Sequence, residues 1–175
     1  MINLKSNTSK YIVQVGLLLV AFFCDGLIKG VVPVFNLPSF KASPQFLLLI
    51  LVMMSLRDAQ NTRQLFWESL ILGVLYDSYY SHVFGLYTII FPLTLLIIQR
   101  IRFYVPETFI FEWSTYFIVL TLAIVYLYLI GIFLSLASTD VAVFVVNWLA
   151  PTLLVNSLFF VILYFPLAKL LNWLI

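Results

Sequence analysis

Long apolar stretches separated by short polar segments are the feature that most limits how this chain can fold. The first, Tyr11–Val34, exceeds the roughly 20 apolar residues needed to cross the hydrocarbon core of a bilayer. The chain as a whole is 64% hydrophobic and 9% charged, whereas soluble domains are about 45–50% apolar and about 25% charged. So few charged residues cannot cover a water-exposed surface. The sequence therefore excludes a soluble globule and predicts an integral membrane protein.

The apolar stretches predict an all-α bundle of six transmembrane helices in a single domain, residues 1–175, with a short cytoplasmic N-terminus at 1–10. The predicted spans are 11–34, 46–56, 65–80, 83–98, 109–137 and 141–167. The second span is the shortest, and it crosses only if Ala42–Gln45 and the residues after Leu56 extend its helix. The sixth contains Pro151 and Pro166, which predict a bent or broken helix.

The basic residues predict the orientation. With the N-terminus inside and six crossings, seven of the nine Lys and Arg residues lie in the cytoplasm, as the positive-inside rule requires. An alternative with the N-terminus outside and an uncrossed second segment also places seven of nine inside. That alternative needs a connection of about thirty residues around an exposed FLLLILVMMSL, whereas compact connections usually have about six. We therefore expect both termini to be cytoplasmic.

Asp25 is the charged residue that lies deepest in the first predicted span. Lys29 follows four positions later on the same helical face, so the two side chains can pair. Pairing reduces the cost of about 2.5–3.5 kcal/mol for a charge at the membrane centre. The alternative is a contact or ligand site facing the bundle interior. Gly26 and Gly30 form a G-x-x-x-G pattern that favours close helix packing.

The densest polar cluster joins the third and fourth spans, with Gly73, Tyr76, Asp77 and Gly85 as its main candidates. The glycines permit close packing or a positive φ angle. Asp77 can cap the following turn or accept tyrosine hydroxyl groups. The sequence leaves two interpretations open, a structural cap and a recognition surface for a partner protein.

Pro151 in the sixth span frees a backbone carbonyl, because proline has no N–H group. Thr152, Asn156 or Ser157 can satisfy such groups or bond a neighbouring helix. The interpretation is a kinked helix whose polar side chains repair the kink.

Glu68 and Glu112 each lie near a predicted cytoplasmic end. We expect both to be solvated at the headgroup level, opposite the arginines at positions 63, 100 and 102.

The sequence lacks the residues on which known intramembrane enzymes depend. Cys24 and His82 are the only cysteine and histidine, so H-E-x-x-H is impossible and a Cys/His metal site is nearly excluded. Neither G-x-S-x-G nor the Gly-x-Gly-Asp of intramembrane aspartyl proteases occurs. We therefore expect that the protein is not an enzyme and binds no cofactor. Its net charge of +2 is too small to indicate a nucleic-acid-binding surface.

Two motifs resemble one family. Gly73, Asp77 and Gly85 match the G-x-x-x-D-x7-G signature of the rod shape-determining protein MreD family. Pro151–Asn156 resembles the P-T-x-L-x-N segment of its Gram-positive members, and Asp25 matches an aspartate in their first span.

The resemblance implies a non-enzymatic scaffold in the plasma membrane of a bacterium, within the elongasome that synthesises lateral peptidoglycan and maintains cell shape. It implies protein–protein interaction with MreC, and further with MreB, RodA and a penicillin-binding transpeptidase. It also implies a bundle similar to the substrate-binding subunits of energy-coupling-factor transporters. In that interpretation Gly73, Tyr76, Asp77 and Gly85, with Pro151 and Asn156, shape a docking surface.

A vitamin-binding transporter subunit is the alternative from another class. Its outer cavity would be lined by Tyr79, Tyr80, His82 and Asp25. Such subunits usually present Ala-x-x-x-Ala faces to an energising partner, and the sequence contains no clear copy.

Overall fold

The structure, a computed structural model, is built from helices and their connections, with no strand among the residues that it describes. These residues are 4–33, 37, 40–57, 62–135 and 140–174, and for 4–9 and 29 the backbone alone is described. The six helices within these ranges are α1 Leu4–Val31, α2 Phe46–Arg57, α3 Thr62–Tyr76, α4 Tyr87–Ile101, α5 Phe109–Phe133 and α6 Val141–Leu174. The predicted all-α class is confirmed.

Two helices contain wider turns of the π type. The first, Asp77–Ser81, continues α3. The second, Val145–Leu149, interrupts α6 just before Pro151. The predicted sixth helix is therefore interrupted, and it continues past the predicted end to Leu174. The predicted ends of the first and fifth spans, Val34 and residues 136–137, lie outside the described residues.

α2 lies at the centre of the bundle. Its eleven residues Phe46–Leu56 are all buried, and it packs against α1, α3, α4, α5 and α6. A helix that is apolar on every side must be surrounded by other helices or by lipid. In the membrane interior, lipid is as apolar as leucine, so its side chains are held mainly by close packing.

The outer helices have the length and composition of membrane spans. Lys10–Ile28, Phe109–Phe133 and Val141–Leu174 are long and apolar enough to cross a bilayer. They expose large apolar side chains such as Phe23, Ile118 and Leu158. Such a surface would be unfavourable in water and suits a lipid environment.

The second predicted span needs a correction. Residues 41–45 are not helical, so α2 is not extended at its N-terminal end. Its 12 residues measure about 18 Å at helical rise, against a hydrocarbon thickness of about 30 Å. Side chains of other helices bind its first N–H groups, and the helix therefore begins at Phe46.

Candidate functional site

Asp77 caps the start of α4. Its carboxylate is fully buried and accepts hydrogen bonds from the backbone N–H groups of Gly85, Tyr87 and Thr88, at 2.9, 2.8 and 3.1 Å. The hydroxyl groups of Ser81 and Thr88 also donate to it, at 3.0 and 2.8 Å. The first N–H groups of a helix have no partner within the helix. Asp77 supplies one, and its buried side chain offers no surface to another protein.

The two glycines of this motif let α3 and α4 meet. A Cβ atom at Gly73 would lie 2.7 Å from the carbonyl oxygen of Tyr87 and from the Cα of Thr88, so only glycine permits this approach. Gly85 has a φ of +99°, which L-residues with a side chain rarely adopt. Its carbonyl accepts the hydroxyl of Tyr126 on α5, at 3.3 Å.

Tyr76 occupies the centre of an aromatic cluster that joins α1, α3 and α4. Its ring centroid lies 4.1 Å from that of Tyr87, 4.9 Å from Tyr80, 5.6 Å from Phe91 and 6.0 Å from Phe22. The side chain is buried. Aromatic pairs at such separations stabilise beyond their buried area by about 0.5–1.5 kcal/mol each.

Asp25 reaches from α1 to the first turn of α2. Its Oδ1 accepts the N–H of Phe46 at 2.5 Å, and its Oδ2 accepts that of Leu47 at 3.2 Å. The buried carboxylate thus faces the bundle interior. The side chain of Lys29, its predicted partner, lies outside the described residues.

Pro151 frees a carbonyl that another segment uses. The intrahelical partner of the Asn147 carbonyl would be the N–H of residue 151, which proline lacks. This carbonyl accepts the N–H of Lys41, at 2.8 Å. The carbonyl is therefore satisfied by the backbone of the segment preceding α2, and not, as predicted, by polar side chains of its own helix.

Thr152 and Asn156, one helical turn apart on α6, bind the rest of that segment. Asn156 Oδ1 accepts the N–H of Gln45, and its Nδ2 donates to the carbonyl of Ser43, both at 2.8 Å. The Ser43 N–H donates to Thr152 Oγ1 at 3.2 Å. Non-helical backbone inside a membrane protein is stable only when its polar groups have such partners.

Asp25 and Asn156 therefore act on the same helix end. The N–H groups of Gln45, Phe46 and Leu47 are capped in succession by side chains from α6 and α1. Residues 43–45 were not predicted to take part in this arrangement. Ser43-Pro44-Gln45 directly before an apolar run is a helix-start signal, and it could have identified them.

The opposite end of α2 carries a buried ion pair. Arg57 Nη2 lies 2.7 Å from Glu112 Oε1 on α5, and Nη1 donates to the Ala168 carbonyl and to Asn172 Oδ1 on α6. The expectation of a solvated Glu112 opposite another arginine was wrong. The carboxylate is buried because α2 ends against α5 and brings Arg57 to it.

Glu68 lies between two amides. It is half-buried and accepts hydrogen bonds from Gln14 on α1 and Gln64 on α3, both at 2.8 Å, in place of the arginine partner that we predicted.

A cavity of about 430 Å³ lies beside the two caps. Four tyrosines line it together with Asp25, namely Tyr76, Tyr79, Tyr80 and Tyr87. This lining contains three of the four residues expected for a transporter cavity, Asp25, Tyr79 and Tyr80, but not His82.

Comparison with known proteins decides the family. Residues 10–174 match the family model of the rod shape-determining protein MreD. The chain belongs to the MreD family. Neither the curated proteins nor the solved structures contain a match. The resemblance drawn from the two motifs is thus confirmed over nearly the whole chain.

Membership in the MreD family assigns a role in determining cell shape. The family and the three long apolar helices fit a membrane protein. Five residues that carried the resemblance contact two helix starts. Gly73, Asp77 and Gly85 pack against or cap the start of α4, and Asp25 and Asn156 cap the start of α2.

Proposed function

We propose that this MreD family member is a non-enzymatic scaffold of the elongasome and that it binds MreC in the plasma membrane. The observation that carries the proposal is the match to a rod shape-determining family over residues 10–174. Shape determination in such a family is explained if the protein holds wall-synthesis components together. MreB, RodA and a penicillin-binding transpeptidase are the further partners that we propose.

The way in which the motif residues are used supports a scaffold. Asp77 has five hydrogen-bond donors and no exposed surface. Asn156 uses both its amide oxygen and its amide nitrogen on backbone groups. A catalytic group must reach its substrate, and these buried side chains instead stabilise the bundle.

The proposal includes a topology. A single domain would cross the membrane six times with both termini cytoplasmic, in an arrangement similar to energy-coupling-factor substrate-binding subunits. α2 would then be the short central crossing, completed by the polar segment at 41–45. The capped, buried backbone of that segment supports this role, because it satisfies its polar groups at membrane depth.

Co-purification from native membranes tests the proposed partner. We expect affinity-tagged protein, extracted in a mild detergent, to recover MreC, with wall-synthesis proteins enriched by mass spectrometry. An unrelated multi-pass protein with the same tag is the control. Repeated recovery of an ATPase module in place of MreC would contradict the scaffold and favour the transporter alternative.

A matched pair of variants makes this test specific. Asp77→Ala removes the cap of α4, and we expect it to lower MreC recovery several-fold per molecule of folded protein. Asp140→Ala removes an exposed carboxylate that does not cap its helix, and we expect recovery to be unchanged. If the two folded variants recover equal amounts of MreC, MreC binding does not depend on the α3–α4 turn.

A further inference from the structure

The cavity beside the caps has the size of a small-molecule site. Its volume of about 430 Å³ falls within the roughly 300–1,000 Å³ of typical ligand pockets. Its walls come from α1, the segment before α2, the end of α3, the start of α4, and α5.

The lining has the chemistry of a cation site. The Asp25 carboxylate is buried in the wall, and both of its oxygens accept backbone N–H groups. Tyrosine rings surround the space, and their faces attract cations. Among the lining residues whose side chains the structure describes, none is lysine, arginine or histidine. The cavity therefore favours a positive group over a negative one.

A buried acceptor behind the cavity wall has no partner among the described residues. Gln45 is buried, and its Oε1 accepts no hydrogen bond. Its Nε2 donates to Tyr87 Oη at 3.2 Å and to Ser43 Oγ at 3.4 Å, and both of these residues line the cavity. An unsatisfied buried carbonyl costs about 1–3 kcal/mol. The hydrogen bonds from Gln45 hold the hydroxyl oxygens of Tyr87 and Ser43 in the cavity wall, where they can also accept an N–H group of a ligand.

We propose that this cavity binds a molecule carrying a protonated amine. The ammonium group lies near Asp25 and the tyrosine rings and donates to hydroxyl oxygens of the cavity wall. The apolar part of the molecule packs against Leu86 and Leu127. The amine belongs either to a lipid headgroup or to a small soluble molecule. This inference does not depend on MreC binding.

A set of matched probes tests the chemistry. We expect octylamine to raise the thermal unfolding midpoint of the purified full-length protein in a neutral detergent, followed by tryptophan fluorescence. At about 100 times the Kd the rise should be about 5–10 °C. Octanol and octanoate have the same chain without the positive charge, and neither should raise the midpoint. Equal effects of all three probes would overturn the proposal.

Nanodiscs distinguish the two sources of the amine. Phosphatidylethanolamine mixed into phosphatidylglycerol nanodiscs raises the midpoint if the ligand is a lipid headgroup. If the ligand is a soluble amine, ethanolamine and longer soluble amines raise it and the lipid does not. If no amine in either form raises the midpoint, the proposal is wrong.

Two glycines of α1 provide a matched pair of variants. A Cβ atom at Gly30, which lines the cavity, would meet nothing within 4 Å, and the same holds for Gly16 outside the lining. Gly30→Leu should therefore fill the cavity without moving the backbone and abolish the octylamine shift. Gly16→Leu should retain it. An unchanged shift in Gly30→Leu would overturn the assignment to this cavity.

A third variant covers the case in which Gly30→Leu fails to fold. Tyr79 lines the cavity while 68% of its surface is exposed, so Tyr79→Ala removes a ring without opening the core. We expect it to weaken octylamine binding several-fold. Binding equal to that of the parent protein would contradict a role for the tyrosine rings.

Discussion

Asp77 illustrates how one carboxylate determines a turn. Five donors converge on it from Ser81, Gly85, Tyr87 and Thr88. An ionised carboxylate is an acceptor only, so every contact around it is favourable. Asparagine would place an amide N–H₂ against some of these donors. Aspartate is therefore the residue that this turn requires.

We expect Asp77→Ala to destabilise the protein strongly. It leaves three partly buried backbone N–H groups without their partner, at up to about 1–3 kcal/mol each. A loss of about 3 kcal/mol corresponds to a fall of about 6–12 °C in the thermal midpoint for a chain of this length. Fluorescence-detected unfolding in detergent measures it. A fall no larger than that of the exposed control Asp140→Ala would contradict the cap.

At the scale of elements, α2 is a short helix held at both ends by its neighbours. Asp25 and Asn156 cap its first N–H groups. Arg57 at its last turn binds Glu112 on α5 and Asn172 on α6. These contacts connect residues up to 115 positions apart. They hold α2 in one register along the bundle axis, which its uniformly apolar surface cannot do.

A double-mutant cycle across Arg57 and Glu112 tests one end of this arrangement. We expect Glu112→Leu and Arg57→Met each to cost about 3–5 kcal/mol, because each leaves a buried charge unpaired. The double variant should recover most of that loss. Thermal midpoints of the four proteins provide the measurement. Additive losses would indicate that the two side chains do not form a buried pair.

At the scale of the whole molecule, the polar contacts separate towards two ends of the bundle. Arg57 and Glu112 lie at one end of α2, while Ser43 and Gln45 lie at the other, about 18 Å away at helical rise. Lys41, beyond Ser43, lies over the ring of Trp148 at 4.8 Å. Indole rings favour the membrane interface, and this contact supports an interfacial position for that end.

Cysteine labelling tests the predicted orientation. Thr62 begins α3 and Ser81 ends the π turn that continues it, so about 30 Å separates them. In a Cys24→Ser background we expect Ser81→Cys to react with an impermeant maleimide in intact cells. Thr62→Cys should react only after permeabilisation. The opposite pattern would place the N-terminus outside.

The sequence alone determined the helical class, the approximate helix positions and the family. These follow from local properties, since apolar composition selects a lipid environment and motif spacing is read along the chain. The same reading anticipated that Asp77 could cap the following turn and that Pro151 would free a carbonyl. The partners of Asp77 lie within about ten residues along the chain. The missing N–H group of Pro151 is a property of proline itself.

Only the tertiary structure decided which groups meet across the bundle. Asp25 caps a helix that begins 21 residues later, and Asn156 binds a segment 111 residues earlier. The burial of Glu112 and the cavity beside Asp25 likewise depend on how the helices pack. A hydrogen bond needs atoms within about 3 Å, and only the packing of the complete bundle brings such distant residues to that distance.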